Sequence, residues 1–258
     1  MSIANYKEHT KAFNSLLHKN CNKPILLFKG GSGTGKSFLM EHCRAQIQGD
    51  VHQVLVDLRA TSNVMQIFLQ TGRRLSWECF DNFKQHVGEL NRQLNINVNG
   101  NTQAGVGNMI NVELKALFDN ATLEQRDERY STLTNAWAED INNLDNPCVL
   151  LLDVYESANS EIKRWITGDL LSCAVDSAQM RVVVAGQDVP ESFGWNHCSE
   201  LKELYGVPEA EEWLPVIKAL GRRIPIEPQL TYLAGICHAL KGNPGAIAKV
   251  IEGFPRQQ

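Results

Sequence analysis

Residues 25–37, ILLFKGGSGTGKS, constrain the fold of this chain more than any other stretch. An apolar run, Ile25-Leu26-Leu27-Phe28, leads into a glycine-rich turn. The turn closes on Gly35-Lys36-Ser37 and opens onto a helix-like segment, Phe38-Leu39-Met40-Glu41-His42. From Gly30 to Ser37 the residues fit the phosphate-loop pattern G-x-x-x-x-G-K-[ST]. Glycines let backbone N–H groups curl around phosphate oxygens without a Cβ in the way. The helix that follows turns its positive end toward the anion. Lys36 is expected to reach the β- and γ-phosphates, and the Ser37 hydroxyl to ligate Mg²⁺. Gly30, Gly31, Ser32, Gly33, Thr34, Gly35, Lys36, Ser37 and Phe38 are thus the expected nucleotide contacts. Average residue usage makes a chance match in a chain of this length on the order of one in a hundred. The strand in front and the helix behind lower that further.

The rest of the chain alternates strand and helix signals. Residues 5–20 read as an amphipathic helix ahead of the first strand, either packing or bordering a bound base. Val51–Leu58 reads as a second strand, and Thr61 or Ser62 as the cap of a helix through Leu69. Residues 76–94 carry Trp77, Phe80, Phe83, Val87, Leu90 and Leu94 at helical spacing, which favours core over nucleic-acid stacking despite Arg73, Arg74 and Lys84. Residues 95–111, rich in Asn and Gly, read as an insertion, a hairpin or mobile loop between core elements. Residues 120–145 resume helical spacing. Cys148–Asp153, CVLLLD, is a third strand of the kind buried on both faces of a parallel sheet. Ser160–Leu171 reads as a helix, Arg181–Ala185 as a fourth strand and Glu200–Leu204 as a shorter fifth.

After residues 205–208 the character changes to three short helices, Pro208–Leu220, Glu227–Leu240 and Pro244–Ile251, punctuated by Gly and Pro. The expectation is an α/β P-loop NTPase three-layer sandwich with a mostly parallel sheet over residues 1–206. A small helical lid over residues 207–258 follows it.

In parallel sheets of this kind, ligands bind at the carboxyl ends of strands. The Gly30–Ser37 loop, Asp153 with Glu156, and Gln187 each follow such an end, so they are expected to converge. Asp153 is the candidate Mg²⁺ carboxylate beside Ser37, or else a strand-end acid capping the next turn. Glu156 is the candidate for polarising an attacking water. Val154 stands directly after Asp153, where a hydrolase more often carries the acid. Gln187 can sense a γ-phosphate or position water, but an arginine would clamp charge more strongly. Lys163, Arg164, Arg222 and Arg223 are arginine-finger candidates or, more simply, surface charges. Gly242-Asn243-Pro244 reads as a helix stop with Pro at the first position of the next helix.

Composition removes several function classes. Net charge is −4, which gives no support for a surface that coats nucleic acid. Seven cysteines are scattered, with no C-x-x-C, and read as reduced thiols of a cytoplasmic protein rather than a disulfide or zinc framework. No apolar run approaches a membrane span, and the start lacks the layout of a signal peptide. No N-K-x-D follows the later strands, which argues against GTP.

The loop GGSGTGKS, the motif LLLDVYE (150–156), the segment VVVAGQDVP (182–190) and the late KGNPGAI (241–247) together resemble the nucleotide-binding module of the STAND class. These are signal-transduction ATPases related to AAA+ and immune-receptor ATPases. LTNAWAEDI (133–141) is similar to bacterial members. The resemblance covers nearly the whole chain. It implies ATP/ADP and Mg²⁺ as ligands, slow hydrolysis, and a closed ADP form that opens and assembles with ATP. It also implies that Pro244 of the lid packs by the adenine. Gln187 departs from the family, which often carries arginine there. STAND proteins usually carry effector and sensor domains in the same chain; their absence here implies a fragment, or a separately encoded effector or sensor partner. A nucleotide-dependent homo-oligomer is a further expectation. Two other readings stay open: a small-molecule kinase, for which residues 95–130 lack a clear acceptor motif, and a nucleotide-binding module with negligible turnover.

Overall fold

The computed structural model describes residues 5–18, 20–96 and 105–257. Five strands form one sheet: β1 (Ile25–Gly30), β2 (His52–Asp57), β3 (Cys148–Asp153), β4 (Met180–Gly186) and β5 (Ser199–Leu204), in the order β2-β3-β4-β1-β5. Every pairing is parallel. The apolar runs of β3 and β4 are buried from end to end, as strands covered on both faces must be.

Alternation divides the side chains between two layers. Ile25, Leu27, Leu150, Leu152, Val182 and Val184 face one layer. It is built by α3 (Val64–Leu75), α4 (Asp81–Gln93), α5 (Val106–Phe118), α6 (Leu123–Asn142), α7 (Ser160–Trp165) and α8 (Leu171–Asp176). Leu26, Phe28, Val149, Leu151, Val183 and Ala185 face the other. There they meet α1 (Lys7–Leu16), α2 (Lys36–Gln46), α9 (Leu214–Ala219), α10 (Gln229–Ala239) and α11 (Pro244–Glu252). The result is the expected three-layer α/β sandwich, with the C-terminal helices sharing the apolar layer of α1 and α2. Buried Arg181, near the start of β4, ties α1 to the sheet by donating to the Leu16 and His18 carbonyls.

Several sequence expectations are corrected. Residues 106–111, expected in a hairpin or loop, open α5, whose Ile110, Leu114 and Leu117 bury at helical spacing; residues 97–104 of that segment lie outside the described residues. The helix expected to stop at Leu69 runs on to Leu75 and is capped by Asn63, not Thr61 or Ser62. It breaks at Ser76, whose φ of 78° is left-handed, so Trp77 sits in a separate 3₁₀ turn. The helix expected over 160–171 is α7 and α8 joined through a wide π turn, Ile166–Leu170.

Among the described residues, no helix is long and apolar enough to cross a membrane.

Candidate functional site

The order of the sheet brings the predicted groups together. β4 lies between β1 and β3, so the phosphate loop, Gln187 and Asp153 follow the carboxyl ends of three adjacent strands.

The loop's peptide planes are set from behind. The carbonyl of Ser32 accepts from Asn243 Nδ2 at 3.4 Å, that of Gly33 from Gly245 N at 3.0 Å, and that of Thr34 from the Tyr6 hydroxyl. A trans peptide points its N–H opposite its C=O. Carbonyls of Ser32 and Thr34 held on the outer side therefore turn the N–H groups of Gly33 and Gly35 inward, while Thr34 N donates within the loop to the Gly31 carbonyl at 3.4 Å. Gly33 and Gly35 reach this shape at φ 78° and 88°, which side chains with a Cβ rarely adopt. Helix geometry leaves the first N–H groups of α2, those of Lys36, Ser37 and Phe38, without intrahelical acceptors, and Gly35 provides no side-chain cap. The loop and helix start thus form a concave array of donors suited to phosphate oxygens.

Lys36 is buried at the centre of this array, its Nζ donating to the Gly30 and Gly31 carbonyls at 2.6 and 2.9 Å. Burial lowers its pKa, and the nearby charges of Glu156 and Asp153 oppose that shift. The Ser37 side chain hydrogen-bonds the Asp153 carboxylate. Asp153 is only 8% exposed and also accepts from Val154 N at 2.9 Å; burial raises its pKa, which the bonds from Ser37 and Val154 partly offset.

Glu156 arrives by an unusual route. Val154 adopts φ 60° and ψ 50°, a left-handed conformation that is strained for a β-branched residue by about 1–3 kcal/mol. The chain then makes a 3₁₀ turn, Tyr155–Ser157, that delivers Glu156 to the tip of β4. There one carboxylate oxygen accepts from Gln187 N at 2.9 Å and the other from Gln187 Nε2 at 3.1 Å. Burial pushes the Glu156 pKa up, but these bonds and Lys36 outweigh it and hold the group ionised to lower pH than usual. Glu156 and Gln187, expected as separate functions, are one clamped pair.

Pro244 occupies the first position of α11 with Asn243 as its N-cap, as its spacing predicts. The same turn also packs against the phosphate loop, with Pro244 Cβ 3.7 Å from where a Cβ on Gly35 would stand. Three of the arginine-finger candidates have partners away from the phosphate loop. Lys163 pairs with Asp188 at 3.7 Å, Arg164 with Asp127 at 3.1 Å, and Arg222 donates to the Phe254 carbonyl.

Two site neighbours escaped sequence reasoning. Asp57 ends β2 in register with Asp153, and holds Arg59 by paired hydrogen bonds of 2.7–3.2 Å. Arg59 is close enough to feel the charges of Asp153 and Glu156, although its hydrogen bonds are with Asp57. The legible signal was an acid at the end of an alternating strand, followed by Arg at the second position.

Among the described residues, no cluster of three or more His, Cys, Asp or Glu side chains assembles. One carboxylate and one hydroxyl are the protein ligands expected for Mg²⁺ that arrives with substrate phosphates. The residues present therefore fit a nucleotide-borne Mg²⁺.

No protein-family model matches the chain, and no curated protein matches it. Solved structures do. A Signal Transduction ATPase with Numerous Domains (STAND) protein with a tetratricopeptide repeat sensor, from Pyrococcus horikoshii, aligns over 100% of this chain with a TM-score of 0.57 and 14% identity. This chain spans only 31% of that protein. Cdc6p from Pyrobaculum aerophilum aligns over 97% of this chain and 60% of its own, at 13% identity and TM-score 0.49. A Walker-type ATPase of Pyrococcus abyssi aligns over 96% and 71%, at 12% identity and TM-score 0.45. At such identities the likeness is one of fold.

Proposed function

We infer that this chain, which has the P-loop nucleotide-binding fold related to that of the AAA+ and STAND ATPases, is an ATP-binding regulatory switch that hydrolyses slowly. The observation that carries the reading is the inward-turned loop with Lys36 at its centre and the Ser37–Asp153 contact at its mouth. Loop amides and Lys36 would hold the phosphates, Ser37 and Asp153 would hold Mg²⁺, and Pro244 would border the base. Bound Mg²⁺ would neutralise charge on the phosphates. Glu156 orients and deprotonates water, and Gln187 fixes the Glu156 carboxylate in place.

Residues 1–206 are the nucleotide-binding unit in this reading, and residues 207–258 the lid. Nucleotide state biases the lid and with it a surface for a partner. That partner is a separately encoded effector or sensor, further domains of a longer chain, or a second copy. The scattered free thiols support a cytoplasmic location in this reading.

The test is a titration of ADP and ATP with Mg²⁺, with particle size measured in each state. Lys36→Ala should abolish binding; wild-type affinity in that variant ends the proposal. A second reading, a binding module with negligible turnover, is favoured by Val154 in the place of an acid and by both Glu156 oxygens being engaged by Gln187. Steady-state release of far less than one phosphate per chain would establish it. Phosphate release without an added acceptor separates both readings from a kinase.

A further inference from the structure

The outer side of the phosphate loop is held by the far end of the chain. Asn243 Nδ2 donates to the Ser32 carbonyl, and Gly245 N to the Gly33 carbonyl. Asn243 is itself fixed, because its Oδ1 caps α11 by accepting from Ala246 N at 3.0 Å. The turn is anchored on its other flank by the Gly242 carbonyl, which accepts from Val207 N at 2.6 Å. The fit is close: a Cβ on Gly33 would stand 2.4 Å from Asn243 Nδ2 and 2.6 Å from its Oδ1. Glycine at position 33 is therefore required twice, by its φ and by the side chain lying over it.

We propose that the Asn243–Gly245 turn is a positioning element for the phosphate loop: it aims the loop's amides at a nucleotide diphosphate, and a bound diphosphate tightens its grip. The proposal rests on the nucleotide reading above. The sign follows from the peptide units that carry the contacts. In the 32–33 unit the oxygen accepts from Asn243 while the N–H of Gly33 belongs to the inward side; in the 33–34 unit the oxygen accepts from Gly245 N, and its N–H, that of Thr34, donates to the Gly31 carbonyl. An anion at the N–H polarises the amide and makes its oxygen a better acceptor. Linkage makes the effect mutual, so a docked turn raises affinity for the diphosphate and a bound diphosphate stabilises docking. The C-terminal helices thereby register loop occupancy through two hydrogen bonds, without any contact of their own with the phosphates.

The experiment titrates ADP with Mg²⁺ into the full chain and into Asn243→Ala, Gly33→Ala and the double variant. Asn243→Ala should weaken ADP about tenfold, the scale of one or two lost hydrogen bonds. Gly33→Ala should weaken it more, and part of that loss should be recovered in the double variant, because removing the Asn243 side chain relieves the collision. Hydrogen exchange over residues 243–248 should slow when ADP binds. Losses that simply add, or exchange that is unchanged or faster with ADP, overturn the proposal while leaving nucleotide binding standing. A wild-type chain that binds neither ADP nor ATP overturns both. Thermal melting of each variant without nucleotide, and Asn243→Asp as a variant that keeps the Ala246 cap but loses the donor to Ser32, separate the effect from a failure to fold. Wild-type ADP affinity in Asn243→Asp overturns the proposal; a loss matching Asn243→Ala supports it.

Discussion

Replacing Asp153 by Asn separates a metal ligand from a structural acid, because the two roles predict opposite signs. The carboxylate is buried to 8% exposure beside a second acid, Asp57, which lies opposite it in register. It accepts from Val154 N and Ser37, both of which an Asn Oδ1 can still serve. What the substitution removes is charge. Burial raises the folded pKa of this acid, so its ionised form is disfavoured in the fold at neutral pH, and that destabilisation is relieved as pH falls through the folded pKa. Relief on the order of 1–2 kcal/mol, the scale for an incompletely compensated buried charge, corresponds to roughly 2–8 °C in melting temperature for a domain of this size. The apo protein should therefore melt higher as Asp153→Asn at pH 7, with the gap narrowing toward acid pH, while Mg²⁺-dependent phosphate release falls much more than nucleotide affinity. Paired melting curves between pH 4 and pH 8, with an Mg²⁺ titration of turnover, decide it. A lower melting temperature together with unchanged Mg²⁺ dependence would show a strand-end cap and refute the reasoning.

Other outcomes follow from the same geometry. Glu156→Gln should lower phosphate release by about 100-fold or more, the range for loss of a general base, with ATP affinity unchanged; equal release rates would remove Glu156 from the chemistry. Arg59→Gln should weaken ATP more than ADP, since the cation is close enough to feel the acids at the strand tips, and an unchanged ratio of the two dissociation constants would make the Asp57–Arg59 pair a local fastening only. Arg181→Met should lower unfolding free energy by about 1–3 kcal/mol in urea, because the buried Leu16 carbonyl at the end of α1 loses its Arg181 donor.

The parts legible in the sequence were those written by one local rule. Unbroken apolar runs gave β1, β3 and β4, and the glycine pattern gave the loop with Lys36 and Ser37. Parallel-sheet logic placed Asp153, Glu156 and Gln187 at one edge, and they meet there. What stayed hidden depended on partners distant in the chain. Glu156 and Gln187 bond each other only because Val154 takes a left-handed turn, which its β-branched side chain argues against. The contact between Asn243 and Ser32 spans more than two hundred residues, so spacing showed only the helix cap. Asn and Gly content disguised the start of α5, where tertiary burial of Ile110 and Leu114 overrides weak local propensity.

The shared apolar layer under α9–α11 sets a limit on how far that end of the molecule can travel alone. Trp213, Ile217, Leu233, Ile247 and Ile251 are all buried there against the same layer as Leu26 and Phe28. Each of these side chains bared to water costs roughly 1.5–3 kcal/mol, so exposing even a few of them exceeds a ligand-driven coupling of typically about 1–3 kcal/mol. Under the proposed coupling, nucleotide by itself would loosen or tighten the turn at Asn243, whereas wholesale departure of the three helices would need another greasy surface to take their place. Under the proposed switch, large-scale opening and association would be a single event.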